Sequence, residues 1–600
     1  MAKKLRWARA FGYGLLAVGL LETLGMNLFV LAQIGRARTS VPYWDEWAIV
    51  QDLAQIDLGH ALWPILWSSY WGERQVVTRV LWLANAHFRS LASLTWLTLL
   101  FQLAHIGVLI ALAWLLLGRT AKPEYPASAR VTNPMSSPAP FLVACVVILN
   151  LLLSPFQMMN FVWSTQTMFV LSFLVATICF LCLALADGKH STLFVALAIA
   201  LAALGSCTMP NNLLAWPVLV LQAIYLKRSR RVIAALALTG TVAIGSYLWH
   251  YTRPEMGMGV VGMLRHPVQA ILLLGVVVAG PAAFISNATA AACGVLTLGV
   301  TGYLSARALR LDVREKPWLS ALVGTIVFLV LSSASVVAGR LDPRFLGRDP
   351  LYTVPVRYPT MFCVLWACIA LLALYTCWHW QIRYALLGVY AVPFFYFMFA
   401  TAHLQFGMAE GWGDAFRTAD ALGVAFLLDV PDEQLLSRVW ANRIEREERV
   451  AFLRKRNFAM FHEPRAGWMG RNVSELFSPA ESARCVGTIE KLTRLDGFAR
   501  VQGWAWDLRS GSSLDYILLT DEAGRIIGQG RGGLRHGQFP GLFIEPGPVP
   551  ASHARFRYSE WLGYVRQGGN STQERMGLFG VFASQGKVCA IRSEGAVVER

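Results

Sequence analysis

Charge is what this chain has least of. Asp, Glu, Lys and Arg make up 15% of its 600 residues, whereas 56% are hydrophobic and the mean hydropathy is +0.47. Soluble domains carry about 25% charged residues, so a soluble globular protein is excluded and an α-helical polytopic membrane protein is indicated. Acids are nearly missing from the apolar runs, with Glu22 the exception. Transporters usually hold ionisable groups near the bilayer midplane, so a glycolipid transporter or flippase stands only as an alternative. The sequence has no GxxxxGK[ST], no GxSxG and no HExxH, which removes phosphate-loop, nucleophile-elbow and zincin chemistry. Its 10 cysteines form no Cys/His cluster of zinc-binding type, and eight of them lie in or beside apolar segments. His87, His105 and His250 stand alone and read as packed or interfacial. Fixed-period repeats and low-complexity tracts are also absent.

What remains is apolar length. Phe11 to Gln33 is long enough to cross a bilayer, which takes roughly 20 residues, and Lys3, Lys4, Arg6 and Arg9 before it favour a cytoplasmic N-terminus. It is too long for the apolar part of a signal peptide and reads as a retained anchor. Further runs at Leu94 to Leu117, Phe141 to Leu153, Thr167 to Ala186, Leu193 to Gly205, Leu213 to Leu226, Val232 to Tyr251, Ala288 to Ser305, Trp318 to Ala338, Pro359 to Trp378 and Ile382 to Ala402 bring the expected crossings to eleven. His266 to Ser286, broken by Gly280-Pro281, is expected to be re-entrant or interfacial, because a full span there would carry Arg307, Arg310, Arg314 and Lys316 outside. Much of the net charge of +17 lies in short connections such as 227–231, where it orients the chain. Membrane lipids are therefore expected partners and nucleic acid is not.

The first outer loop, residues 39–93, is expected to lie along the interface as short helices. It holds Asp45 and Glu46 between Trp44 and Trp47. A carboxylate there can take a proton from an acceptor hydroxyl, with Asp45 the first choice, or the pair can hold a divalent cation such as Mg or Mn through hard oxygens. Glu73, Arg74 and Arg79 close the same loop. Guanidinium forks match phosphate oxygens, or these arginines only snorkel to the headgroups. A later outer stretch runs from Arg340 to Arg357 and Tyr358 and offers cations to a departing phosphate. Trp44, Asn160, Trp163, Gln166 and Asn211 are candidates for a sugar pocket, although amides at helix breaks also bond the freed carbonyls.

Composition changes at Phe406. Residues 406–484 read as a helical linker, with Leu435, Leu436, Val439, Ile444, Val450 and Leu453 at helical spacing along a charged, solvent-facing stretch. Residues 485–600 hold short alternating segments separated by Gly, Asp and Ser turns, the pattern of a β-sandwich. Cys485 and Cys589 bracket that region, and an oxidising compartment permits a disulfide between them.

In the order and sidedness of these residues the chain resembles the GT-C superfamily of membrane glycosyltransferases, over roughly residues 1–405. The resemblance rests on Asp45-Glu46 in the first outer loop, Glu73-Arg74 through Arg79 at its end, the paired short apolar runs, and Arg357-Tyr358 before a late span. It implies a polyprenyl-phosphate sugar donor, inversion at the anomeric carbon, and a loop carboxylate acting as base or metal ligand. On that resemblance Asp45 is the base, Glu46 its neighbour or metal-site partner, and Arg74, Arg79 and Arg357 are phosphate contacts. The enzyme would sit in the bacterial cytoplasmic membrane with its C-terminal domain periplasmic, serving a glycan, lipid or protein acceptor outside. A polysaccharide polymerase or ligase relying on outer arginines is the alternative within the enzyme class.

Overall fold

The structure, a computed structural model, describes residues 2–70, 72–118, 139–251, 259–280, 286–311, 317–340, 358–380, 402–480, 483–535, 558–567 and 576–593. Among them, nine helices are long and apolar enough to cross a membrane: Ala17–Arg36, Thr95–Leu117, Pro140–Val162, Ser164–Leu185, Gly188–Ser206, Arg230–Leu248, Asn287–Arg310, Pro317–Gly339 and Pro359–Cys377. Hydrocarbon offers no water to backbone groups, so an apolar run of this length satisfies them by coiling into a helix. Burial sorts the nine into layers. Ser164–Leu185 and Pro359–Cys377 are 83% buried and form the interior, whereas Gly188–Ser206 and Arg230–Leu248 are 17% buried and turn their leucines and valines outward.

Several expected spans are revised. Leu213 to Leu226 forms a tight turn, Pro210–Leu214, and an 11-residue helix, Ala215–Tyr225. At 1.5 Å per residue that helix is about 16 Å long, roughly half the hydrocarbon thickness, and it is not among the nine. The run from Phe141 is lengthened past Leu153 by a tight turn, Pro155–Gln157, and a short helix, Met158–Val162. The expected re-entrant segment is a bent pair, Gly259–Arg265 and Pro267–Ala279, meeting at 114°. Its sharp corner falls at His266-Pro267, where Pro267 begins a new helix, and its end is Gly280, whose φ of 53° suits glycine. Ile382 to Ala402 lies outside the described residues apart from Ala402.

The contacts divide the chain into two compact units. A helical unit comprises Met1–Gln33, Leu62–Val80 and Leu94–Ala409; a mixed unit comprises Ile34–Ala61, Leu81–Ser93 and Glu410–Arg600. This differs from a division at 405/406 and 484/485. The helix Ala402–Leu428 runs straight through the first of those positions, and the outer loop is shared between the units. In the mixed unit Tyr43 packs on Phe416 at 4.7 Å and Trp47 on Phe426 at 5.7 Å. The supposed linker also belongs to this core. Its helix Arg443–Arg456, capped by Asn442, buries Arg446, Arg449, Val450 and Leu453, while Ile444 is 71% exposed.

The C-terminal strands are β1 (Ser478–Pro479), β2 (Cys485–Leu495), β3 (Phe498–Asp507), β4 (Ser512–Ser513), β5 (Tyr516–Thr520), β6 (Ile526–Leu534), β7 (Glu560–Arg566), β8 (Gly577–Phe582), β9 (Lys587–Ala590) and β10 (Arg592–Ser593). They form one sheet in the order β1-β9-β8-β5-β6-β7-β3-β2-β10, with β4 on β3, rather than the two packed sheets of a sandwich. The sheet curls into a half-barrel. β9 and β10 lie at opposite ends of the strand order yet are joined by Ile591 alone, which holds Ala590 and Arg592 within about 7 Å. Residues alternate between its faces. Ile517 and Leu519 join Val501, Ala505 and Trp561 in one apolar cluster, while Leu518 points the other way to meet Trp468, Val473 and Ile526. The disulfide Cys485–Cys589 closes 104 residues at a Cα separation of 6.1 Å, joining β2 to β9.

Candidate functional site

In the mixed unit, a turn at Trp44, φ 46°, starts the helix Glu46–Asp57. Trp44 N donates to Val439 O at 3.3 Å, and Trp47 N donates to Trp44 O at 2.9 Å. Glu46 is buried and its Oε2 accepts from Tyr43 N at 2.9 Å, so this carboxylate closes the turn. Burial pushes the Tyr43 phenol above its ordinary range, which keeps it protonated at neutral pH. Tyr43 and Trp47 anchor the segment inward, leaving Asp45 half-buried and Trp44 39% exposed. Of the acidic pair, Asp45 is thus the more accessible. Among the described residues no three metal-binding side chains gather, and one oxygen of Glu46 is already engaged. The pair therefore makes only a partial set of hard donors for a divalent cation.

In the helical unit, Arg74 and Arg79 are 3% and 6% exposed. Arg74 donates to Trp67 O at 3.3 Å and to Trp249 O, and its guanidinium lies 5.0 Å from the Trp67 ring and 5.8 Å from that of Tyr247. Arg79 Nη1 donates to Leu66 O at 3.2 Å and Ser68 O at 2.6 Å. Both arginines bond the carbonyls that the short helix Leu62–Trp67 leaves open at its end. Among the described residues, Arg74's partners are carbonyls, a Tyr247 hydroxyl on its backbone, and rings. None of those partners is a carboxylate.

The amides expected around a sugar pocket lie at helix breaks of the same unit, fully enclosed. Asn160 Nδ2 donates to Thr360 Oγ1, which donates to Gln157 Oε1, both at 2.8 Å. Gln157 Nε2 in turn takes the carbonyls of Leu151 and Leu152 at 2.8 and 2.9 Å, the carbonyl-bonding role open to such amides. Asn211 accepts from Ser335 Oγ at 3.3 Å, and Asn212 bonds Ser172. Tyr358 meets Phe169 edge-on at 5.1 Å, and Val77 N donates to Cys207 O at 3.0 Å. These bonds draw Asn160, Trp163, Gln166, Asn211, Tyr358 and the Arg74 segment to one end of the helical bundle. Buried there, and without partners among the described residues, are Asn160 Oδ1, Thr165 Oγ1, Gln166 Oε1, Asn211 Nδ2, Asn212 Oδ1 and Ser332 Oγ. Such atoms cost free energy unless water or a ligand reaches them. Arg340 ends the helix Pro317–Arg340, but its side chain lies outside the described residues, as does Arg357.

Buried charges of the mixed unit were not singled out in the sequence. Arg417 donates to Arg36 O at 3.2 Å and Gly533 O at 2.6 Å; burial, with Arg36 and Arg531 nearby, brings its pKa down to about 10. Arg465 pairs with Asp420 at 2.6 Å, Arg531 with Asp420 at 2.8 Å, and Arg500 with Asp432 at 2.9 Å. The available signal was Glu410, Asp414, Arg417 and Asp420 at intervals of four, three and three on a largely apolar helix, a polar stripe on one face. No family model matches the chain, and no curated protein matches it either.

Proposed function

We propose that the protein is a GT-C-type glycosyltransferase that moves a sugar from a polyprenyl-phosphate carrier to an acceptor outside the cytoplasm of a bacterium. The observation that supports this reading best is the buried guanidinium of Arg74, which has no carboxylate partner among the described residues, at the end of the helical bundle where amides and hydroxyls are also buried without described partners. A buried guanidinium is costly without a counter-ion, and a donor phosphate would supply one while the amides bond sugar hydroxyls. A cytoplasmic N-terminus followed by the single crossing Ala17–Arg36 would put the loop 39–93 outside.

In this reading Asp45 removes the proton from the acceptor hydroxyl as its oxygen attacks the anomeric carbon. The new glycosidic C–O bond forms with inversion, the C–O bond to the carrier phosphate breaks, and the phosphate leaves with the electron pair. Positive charge held in place beforehand favours that departure. Glu46 positions the turn through the Tyr43 amide, and no step passes through a metal.

Complementing a deletion strain and analysing its surface glycans by mass spectrometry tests the assignment. Asp45→Asn should resemble the deletion, since losing a general base costs about 10²- to 10⁴-fold, whereas Glu46→Gln keeps an acceptor for Tyr43 N and should retain transfer. Wild-type glycans from the Asp45→Asn strain would remove Asp45 from the mechanism.

A further inference from the structure

Within the mixed unit lies a cavity of about 260 Å³ that the transfer chemistry does not use. Its floor is a neutralised ion network. Thr39 Oγ1 donates to Asp420 at 3.2 Å, Ser40 Oγ donates to Glu463, and Asp420 and Glu463 are matched by Arg465 and Arg531. Burial, reinforced by Asp420, lifts the Glu463 carboxyl above its ordinary pKa. The rim carries Arg38, Arg89 and His462 together with the hydroxyl of Ser90. Arg38 and Arg89 are exposed, and among the described residues neither is paired with a carboxylate. The lining therefore has matched charges beneath and two unmatched guanidiniums above, an arrangement that attracts an anion.

The backbone around it is specialised as well. Ser90, Leu91 and Ala459 have φ of 51°, 62° and 55°, in a region unfavourable to side chains other than glycine, and Ala459 N donates to Ser90 O at 2.7 Å where the two segments meet. Strain of this kind concentrates at ligand clamps. The volume lies just under the roughly 300 Å³ at which small-molecule clefts begin and far above the roughly 30 Å³ of a water, so it suits a compact polar group. Arg38 also follows the apolar helix Ala17–Arg36 by two residues, a reach of about 7 Å, which sets it at headgroup depth if that helix spans.

We propose that this cavity binds a phosphate group, that of an anionic phospholipid headgroup, at a site separate from sugar transfer. The fork of each arginine takes phosphate oxygens, and Ser90 Oγ supplies a neutral donor.

The test uses the full chain purified in detergent, with lipid retention measured by native mass spectrometry. Wild-type protein should retain phosphatidylglycerol over phosphatidylcholine, and retention should weaken as ionic strength rises. The double variant Arg38→Gln/Arg89→Gln should bind phosphatidylglycerol at least about tenfold more weakly, the order expected when two charge-assisted contacts are lost. Lys491→Gln/Arg494→Gln, an equal charge change on an exposed part of β2, should leave retention intact. Should the double variant misfold, Arg38→Lys alone, which keeps the charge and loses the fork, should bind at an intermediate level. Inorganic phosphate should compete with the lipid. Saturable phosphate binding without phosphatidylglycerol retention would overturn the headgroup as the source. Equal retention by wild type and double variant would overturn the site.

Discussion

Arg465 shows what a guanidinium does once water is withdrawn from it. Its side chain is 1% exposed, with Asp420 at 2.6 Å, Glu463 against Nε, and the Tyr516 ring at 5.5 Å. Burial alone would lower its pKa, but Asp420 and Glu463 outweigh that and hold it above the ordinary value, so the charge stays on at all ordinary pH. Taking one member from such a set leaves the others buried and unmatched, which costs about 3–5 kcal/mol. Arg465→Met should therefore lower the thermal unfolding midpoint of the purified chain by several degrees, and adding Asp420→Asn should recover part of the loss. An unchanged midpoint in Arg465→Met would show that the network carries no stability. Nothing local to Arg465 foretells this pairing, because Asp420 lies 45 residues away and only the fold selects it. Asp45 and Glu46 were legible as a pair with Asp45 the first choice, yet the bond from Tyr43 N that engages Glu46 was not.

Elements were legible wherever their signal is local. Apolar length announced most of the crossing helices, and alternation announced the strands, Ile517-Leu518-Leu519 among them. Alternation says which face a residue takes and nothing about which strand lies beside it. A sandwich and a curled single sheet therefore look alike in sequence. The curl has visible causes in the structure: register shifts at Ile489/Lys491, Leu519/Thr520 and Arg531/Leu534 bend strands as bulges do, and the facing glycines Gly530 and Gly563 let backbones approach where any Cβ would collide. The Cys485–Cys589 bond then joins strands near the two ends of the sheet. A loop of this length is worth about 2–5 kcal/mol. Cys589→Ser should lower the midpoint of the half-barrel by a corresponding amount, and reductant should do the same to the wild type while leaving the variant unmoved. A wild-type midpoint insensitive to reduction would argue that the sheet is held by packing alone.

Across the whole molecule, the division into units was the least legible feature. Residues 34–61 and 81–93 look like membrane-loop sequence, and only their long-range partners assign them to the mixed unit. Sidedness of the loop, by contrast, can be counted from a cytoplasmic N-terminus, because among the described residues no candidate span lies between Arg36 and Thr95. Alkaline phosphatase fused after Gln75 should be active, as expected for an extracytoplasmic position, and inactive after Gly118, one candidate span later. Activity at 118 together with silence at 75 would invert the topology and the proposed reaction with it.

One consequence concerns manufacture. Ser40 meets Glu463 only after 423 further residues have been made, which at about 5–20 residues per second leaves it waiting for roughly 20–85 s. For most of that interval the newborn Tyr43-to-Trp47 segment has neither Phe416 nor Phe426 to cover it, so a polypeptide released early would carry an orphaned aromatic patch and be a natural target for quality-control proteases.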